Sequence, residues 1–387
     1  MKYKLGEIFD LQMGKTPDRH SLEFWREGTE PWISITDLSK CNKYIKSTAE
    51  KITMAAVEES GIKIIPRNTV IMSFKLSIGK IAITPKEMYS NEAIISFIDK
   101  GVLRIEPVYL YYLLMHKDWD SGTNKAVMGK TLNKTTLSQM SVNIHGYSEQ
   151  LEIIKVLDAA SSIIEARKQP LTELANLIKA RFFEMFGDPI FNDHGWNTEP
   201  LENICKTIVD CPHSTPSYTE VDTGYMCIRT SIVKKNRIMW DEIEYIPEHE
   251  YKKRIQRKRP EKGDIVYTRE GAILGIAAII DREYNVALGQ RSMLLSPDTT
   301  KCLPQFLCVA MNFDTFLRKA LKGLSGSASP HINVGDIKAF TIIVPPMELQ
   351  NQFAAFVEQV DKSKVVVQKA LDEAQTLFDS LIQEYFR

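Results

Sequence analysis

"LNKTTLSQMSVNI", residues 132–144, and "INVGDIKAFTIIV", residues 332–344, decide how this chain is built. Few letters coincide, but the offset of 200 residues persists downstream without a gap. Gln150 falls on Gln350, Leu171 on Leu371, Glu173 on Glu373, Leu177 on Leu377, Glu184 on Glu384 and Phe186 on Phe386. Self-similarity at a fixed period means one structural unit used twice.

The hydrophobic period repeats with the letters. Ile153, Leu157, Ala160, Ile164, Arg167, Leu171, Leu174, Ile178, Arg181 and Met185 are spaced alternately by four and three. Phe353, Val357, Val360, Lys364, Val367, Leu371, Ala374, Phe378, Leu381 and Tyr385 hold the same places in the second copy. A 4-3 alternation is a heptad seam, the pattern of a helix lying along another helix. It predicts two helices of roughly 35–40 residues, about 55 Å each at 1.5 Å per residue, packed on one another. Pro170 is expected to kink or interrupt the first. Gly187 offers that helix a left-handed cap, and Pro189 forbids its continuation.

Ahead of each helix lies a stretch rich in β-branched and aromatic residues, broken often by Gly, Pro, Asn and Asp, which reads as short strands and turns. "WISITDL" from Trp32 pairs with "CIRTSIV" from Cys227. "NTVIMSFKLSIGKIAIT" from Asn68 pairs with "GDIVYTREGAILGIAAII" from Gly263, with one residue inserted, and "YSNEAIISF" from Tyr89 pairs with "ALGQRSMLL" from Ala287. The expected fold is α+β. Two similar globular domains, 1–147 and 188–345, are each followed by a long helix, 148–187 and 346–387, and the helices form an antiparallel coiled coil.

Composition excludes several classes. The 387 residues are 44% hydrophobic and 25% charged, with formal net charge zero, so polyanion binding must come from local patches. "MKYKLGEIFDL" is polar and mixed, and no apolar run approaches the roughly 20 residues of a membrane span, so a cytoplasmic protein is expected. Six cysteines form no C-x-x-C, which argues against zinc and for buried reduced thiols. Gly14-Lys15-Thr16 and Gly129-Lys130-Thr131 look like the tail of a phosphate loop. That loop needs a Gly five residues earlier, where Phe9 and Asn124 stand. In the second copy Gly129-Lys130-Thr131 is matched by Ser329-Pro330-His331, a substitution that a polar surface loop tolerates.

The order of these phrases resembles the specificity subunits of type I restriction–modification systems, over essentially the whole chain. "LGEIFDLQMGKTP" from Leu5, "RFFEMFGDP" from Arg181, "GDIVYTREGAILG" from Gly263 with "LGQRSMLLSPD" from Leu288, and "GSASPHINVGDIKAFTIIVPPMELQNQFAAFVEQVDKSK" from Gly326 carry the likeness. The resemblance implies two target recognition domains, each reading half of a bipartite DNA sequence. It implies helices that set the gap and dock two adenine methyltransferase subunits, with ATP-using restriction subunits completing the nuclease in phage defence. It also implies a non-catalytic chain: S-adenosylmethionine, ATP and Mg belong to the partners. The residues agree. The one Pro-Pro, Pro345-Pro346, is followed by Met347, not by the aromatic of a methyltransferase base-gripping loop. An alternative is a related recognition subunit of another restriction or phage-defence methylation system.

Base reading needs side chains that pair with base edges, and others that hold register on phosphates. The first-domain candidates are Ser73, Lys75, Ser77, Lys80 and Asn91. Their second-domain sisters are the Thr268-Arg269-Glu270 turn and Gln290-Arg291. "YKKRIQRKR" from Tyr251 is the clearest basic patch, and Lys252, Lys253, Arg254, Arg257, Lys258 and Arg259 are expected on phosphates. Arg229, Lys234, Lys235, Lys15, Lys130 and His331 complete the candidates. Two half-sites about one turn apart, roughly 34 Å, would present on one DNA face.

Overall fold

A computed structural model describes the chain except for residues 76, 118, 120–123, 127–128, 272 and 323–329, and describes 124–126 and 129–131 by backbone alone. The chain divides into two compact units, 1–167 with 370–387, and 168–369. Each therefore contains one globular region and a piece of both long helices, Tyr147–Phe186 and Met347–Phe386.

The first unit holds a four-stranded antiparallel sheet in the order Phe9–Met13, Ile94–Asp99, Val70–Ser73, Ile81–Ile83. A three-stranded sheet, Glu50–Ile52, Glu30–Ile33, Tyr89–Ser90, has its last pair parallel. The second unit repeats both orders. Cys205–Asp210, Ser292–Pro297, Ile265–Thr268 and Ala277–Ile279 form the larger sheet, and Glu244–Tyr245, Met226–Ile228 and Val286–Leu288 form the smaller, again with its last pair parallel. Strand Lys2–Lys4 pairs with Ser141–Asn143, and Thr198–Pro200 pairs with Thr341–Ile343. The opening stretches thus close each globular region immediately before its long helix. The strands are buried on both faces between helices and the second sheet, so their Val, Ile and Leu form runs instead of alternating.

The helices pack antiparallel within each unit. In the first, Phe386 lies 6.2 Å from the His145 ring, just before the first helix begins, while the Arg167 guanidinium donates to the Ala370 carbonyl. Ile153, Leu157, Ala160, Ile164, Ala374 and Phe378 are buried there, with Leu371 and Leu381 half-buried. In the second, Ile178, Phe353, Val357 and Val360 are buried, and Leu174 packs against them. Leu171 and Val367 are half-buried.

Two seam expectations are corrected. Pro170 does not interrupt the helix, which runs unbroken through it. Its missing N–H costs one ladder bond, and burial along both flanking seam segments outweighs that cost. Near each helix end the buried stripe also moves one residue on. Phe182 and Ile382 are buried, where the heptad places Arg181 and Leu381, because there the helices pack into the globular cores as well as on each other. Gly187 takes φ +73, and its N–H closes on the Phe183 carbonyl at 2.8 Å, as a helix cap requires.

Candidate nucleic-acid interface

In each unit three segments converge on one end of the larger sheet. In the first, the turn after Val70–Ser73 lies beside residues 14–16 and 90–93. Gly14 N–H donates to Ile94 O (3.1 Å), Phe74 N–H to Ala93 O (3.0 Å), Leu132 N–H to Phe74 O (3.0 Å) and Asn91 N–H to Ile33 O (3.1 Å). In the second, Cys211 donates to Ser292 (3.2 Å), Arg269 to Arg291 (3.0 Å), Ile332 to Arg269 (2.8 Å) and Gly289 to Ile228 (2.9 Å). The same four backbone bonds hold both ends. Gly14 is required there, since a Cβ would stand 2.2 Å from the Asn91 carbonyl oxygen. No helix begins at this turn, the next being Leu22–Trp25, so it does not cradle a phosphate as a P-loop does.

The side chains on this common frame differ. Phe74 in the first unit is buried in the core. Its sister Arg269 makes a two-bond ion pair with Asp210, at 2.9 and 3.1 Å, and donates to the Ile332 carbonyl. His213 Nε2 stands 3.1 Å from the same carboxylate. Asp210 pairs with Met293 in the ladder, as Met13 pairs with Ile95, so an ion pair in one copy replaces Phe74 and Met13 in the other. Lys75 corresponds to Glu270 in the repeat, Glu92 to Gln290 and Ala93 to Arg291. The Lys75 ammonium lies 5.3 Å from the Phe74 ring. Burial would raise the Glu92 carboxyl, but the Thr16 hydroxyl and the charges of Lys75 and Arg19 outweigh it and hold it below its usual value. Arg291 is exposed with φ +72, which turns its backbone sharply at the tip.

Several candidates are committed internally. Ser73 is fully buried, and its hydroxyl bonds Ser77 O and Lys80 N, closing the hairpin instead of facing a base. Arg254, read as a phosphate contact, is buried. It pairs with Glu250 at 2.7 Å and donates to Ser214 O and Leu288 O, because its helix Glu248–Arg254 turns that face inward. Arg269 is likewise buried. The Asn91 amide oxygen accepts from Ala93 N–H within its own turn. Lys80 bonds Ser39, Lys234 the Ser231 carbonyl and Lys235 Asp314. Lys252 pairs with Glu248, and Lys258 with Glu261 and Asp264. Arg257 donates to the Asp210 carbonyl and Arg259 to Asn285, both from exposed positions; Lys253, Lys15 and His331 are exposed too. Glu270 pairs with His331 as a β-bridge. The Lys130 side chain lies outside the described residues. The basic run is therefore a partly neutralised patch, not six free cations.

One feature escaped the sequence reading. Arg19 lies over Trp25 (3.8 Å) and Trp32 (4.7 Å) and grips Glu50 with both terminal nitrogens, at 2.5 and 3.1 Å. In the second unit Arg229 lies 5.7 Å over Tyr218 and pairs with Glu244 at 2.9 Å. The signal was the interleaving of Arg19, Trp25 and Trp32 just after the Gly14 turn.

The sequence matches the family described as "Type I restriction modification DNA specificity domain" over residues 1–176 and again over 194–374. The chain belongs to this family. The type I restriction enzyme MjaIX specificity subunit of Methanocaldococcus jannaschii is 23% identical over 98% of this chain and 90% of that protein. The EcoprrI specificity subunit of Escherichia coli is 20% identical over 92% and 86%. A solved structure, from work on complex assembly and conformational transition of the type I R-M system, has a TM-score of 0.51 at 17% identity. It covers 100% of this chain and 97% of that chain and shares its fold. Each of the two specificity-domain matches contains one of the turn ends described above.

Proposed function

We propose that this chain is the DNA-reading specificity subunit of a type I restriction–modification complex. One observation carries the reading. Two copies of one scaffold, held by the same backbone bonds, present different side chains at the same end, as two different half-sites require. Each globular domain, bounded at 1–147 and 188–345, reads one half-site. The helices 148–187 and 346–387 set the gap and dock two methyltransferase subunits. Exposed Ile163, Leu177, Val365 and Val366 on the helices suit such docking. Restriction subunits complete the assembly.

Lys75, Ser77, Lys80 and Lys15 in the first domain, and Arg229, Glu270, Gln290, Arg291 and His331 in the second, form the base-facing set. Lys252, Lys253, Arg257 and Arg259 steady phosphates. Methyl transfer takes place on an adenine flipped into the partner's pocket, with S-adenosylmethionine held there and ATP and Mg on the restriction subunits. This chain chooses the site and supplies no catalytic group.

Selection of a random double-stranded DNA pool by the chain purified with its methyltransferase subunits tests the reading. Two short half-sites around a constant gap are expected, with affinity falling steeply as salt rises. Recovery of unselected sequence would refute it.

A further inference from the structure

We infer that the two arginine–glutamate–aromatic clusters, Arg19 with Glu50, Trp25 and Trp32, and Arg229 with Glu244 and Tyr218, are the guanine-reading groups of the two half-sites. The inference rests on the reading of the chain as a DNA specificity subunit and goes on to name how one base type is recognised.

The clusters occupy matching places. Glu50 pairs across its ladder with Trp32, and Glu244 with Cys227, the residue that takes the place of Trp32 in the repeat. The arginines come from different points of the chain, Arg19 from the loop before strand Glu30–Ile33 and Arg229 from the residue after strand Met226–Ile228. Two copies of the scaffold thus reach one arrangement by different routes, with a carboxylate at a fixed ladder position, a guanidinium upon it and a ring beneath. A surface ion pair has no need of that coincidence.

Both clusters adjoin the turn ends. The Trp32 indole N–H donates to the Lys15 carbonyl at 3.1 Å, and Thr16 bonds Glu92. Arg229 follows Ile228, whose carbonyl accepts from Gly289 beside Gln290 and Arg291. The guanidinium groups remain reachable, with 46% of the Arg19 side chain and 38% of the Arg229 side chain exposed.

The chemistry follows from the geometry. A guanidinium has five N–H donors in one plane. Glu50 takes two at the tip of Arg19, the Trp25 and Trp32 rings pack against the guanidinium, and no group among the described residues takes the Nε donor. In the second cluster Nε of Arg229 and Oε2 of Glu244 are buried, without partners among the described residues, so base contact there falls to the terminal nitrogens of the half-exposed guanidinium. A donor edge held rigid from two sides matches the paired O6 and N7 acceptors of guanine, the commonest specific contact in the major groove. A phosphate needs charge and not a fixed plane. Glu50 and Glu244 are positioning residues. Burial, followed by the charges of Cys227 and Glu244, raises the Tyr218 hydroxyl well above its usual value, so that ring stays a neutral platform.

The test is a base-resolved N6-methyladenine map of cells carrying the complete complex with wild-type, Arg19→Met, Arg19→Lys, Glu50→Gln or Arg229→Met chains. The wild-type motif should hold a guanine in each half-site beyond the methylated adenine. Arg19→Met should relax that guanine in one half-site, with discrimination falling roughly tenfold to hundredfold, while the other half-site and the gap stay unchanged. Arg229→Met should do the same in the opposite half. Glu50→Gln should weaken discrimination at the Arg19 position alone, which a merely structural role would not produce. An unchanged motif in Arg19→Met overturns the inference. So does uniform weakening at every position, with the salt slope of binding reduced by about one, which marks a phosphate contact. Should Arg19→Met abolish methylation, Arg19→Lys decides: a relaxed guanine supports the planar fork, and a retained motif refutes it. Absence of any bipartite motif in the wild type would instead strike the underlying specificity-subunit reading.

Discussion

Gln150 and Gln350 make the same three bonds 200 residues apart. The Gln150 amide oxygen accepts from Glu106 N–H, and its NH2 donates to the Arg104 and His145 carbonyls. Gln350 does the same with Leu303, Lys301 and Pro345. Both side chains are buried, at 1% and 0% exposure, and each ties a long helix to the loop ahead of helix Pro107–His116 or Pro304–Met311. Gln350→Ala would orphan one buried N–H and two carbonyls. It should cost about 3 kcal/mol, read as a thermal midpoint several degrees lower, with Gln150→Ala similar. Arg269→Ala should cost about 3–5 kcal/mol by stranding Asp210, whereas Arg269→Phe with Asp210→Met, the first unit's own pair, should recover most of that loss in urea unfolding. Burial pushes the thiols of Cys205 and Cys227 up to about 12 and those of Cys302 and Cys308 higher still, so little thiolate forms at pH 8. Iodoacetamide should therefore label half-buried Cys41 first in the folded protein, and all six cysteines after unfolding, by mass spectrometry. The matched glutamines were legible because both the letter and the offset repeat. Arg269 was legible only as a cation, since nothing in the letters places Asp210, 59 residues earlier, against it.

At the scale of elements, the long helices were the plainest part of the sequence. A 4-3 spacing held over ten positions, most of them apolar in both copies, has few other meanings. What the pattern could not carry was the shift of the stripe to Phe182 and Ile382, because the globular cores, not the partner helix alone, choose the face there. The short strands were legible as alternating turns and β-branched runs, but their order was not. Tyr89–Ser90 lies parallel beside Glu30–Ile33 across more than fifty residues of chain, a pairing that leaves no local trace. The small cores show why the repeat is faint. Trp32 and Tyr89 fill one, while Cys227 and Ala287 hold those places in the other and Tyr225 and Tyr251 supply the bulk. Volume is kept while identity is lost. Adding one heptad to both long helices at mid-length extends each by roughly 10 Å. The gap of the methylated motif should then lengthen by on the order of three base pairs with both half-sites unchanged, as a methylation map of that variant would report.

For the whole molecule, division of labour is the claim that matters. In the proposed division, two scaffolds with one set of backbone bonds and two sets of side chains read two half-sites, and the helices set the gap. Family membership, with two matches covering 1–176 and 194–374, and the matching strand orders of the two units support that division. It was visible in the sequence as a 200-residue echo. Which candidates meet at the turn ends and which are buried was not, because such an end is assembled from turns whose neighbours are fixed only by the fold. The most direct measurement is a base-resolved N6-methyladenine map of cells in which residues 188–345 are exchanged for the corresponding segment of a family member of known target. One half-site should become that of the donor, while the other half-site and the gap stay as in the parent. A map in which both half-sites change, or neither does, would contradict the account.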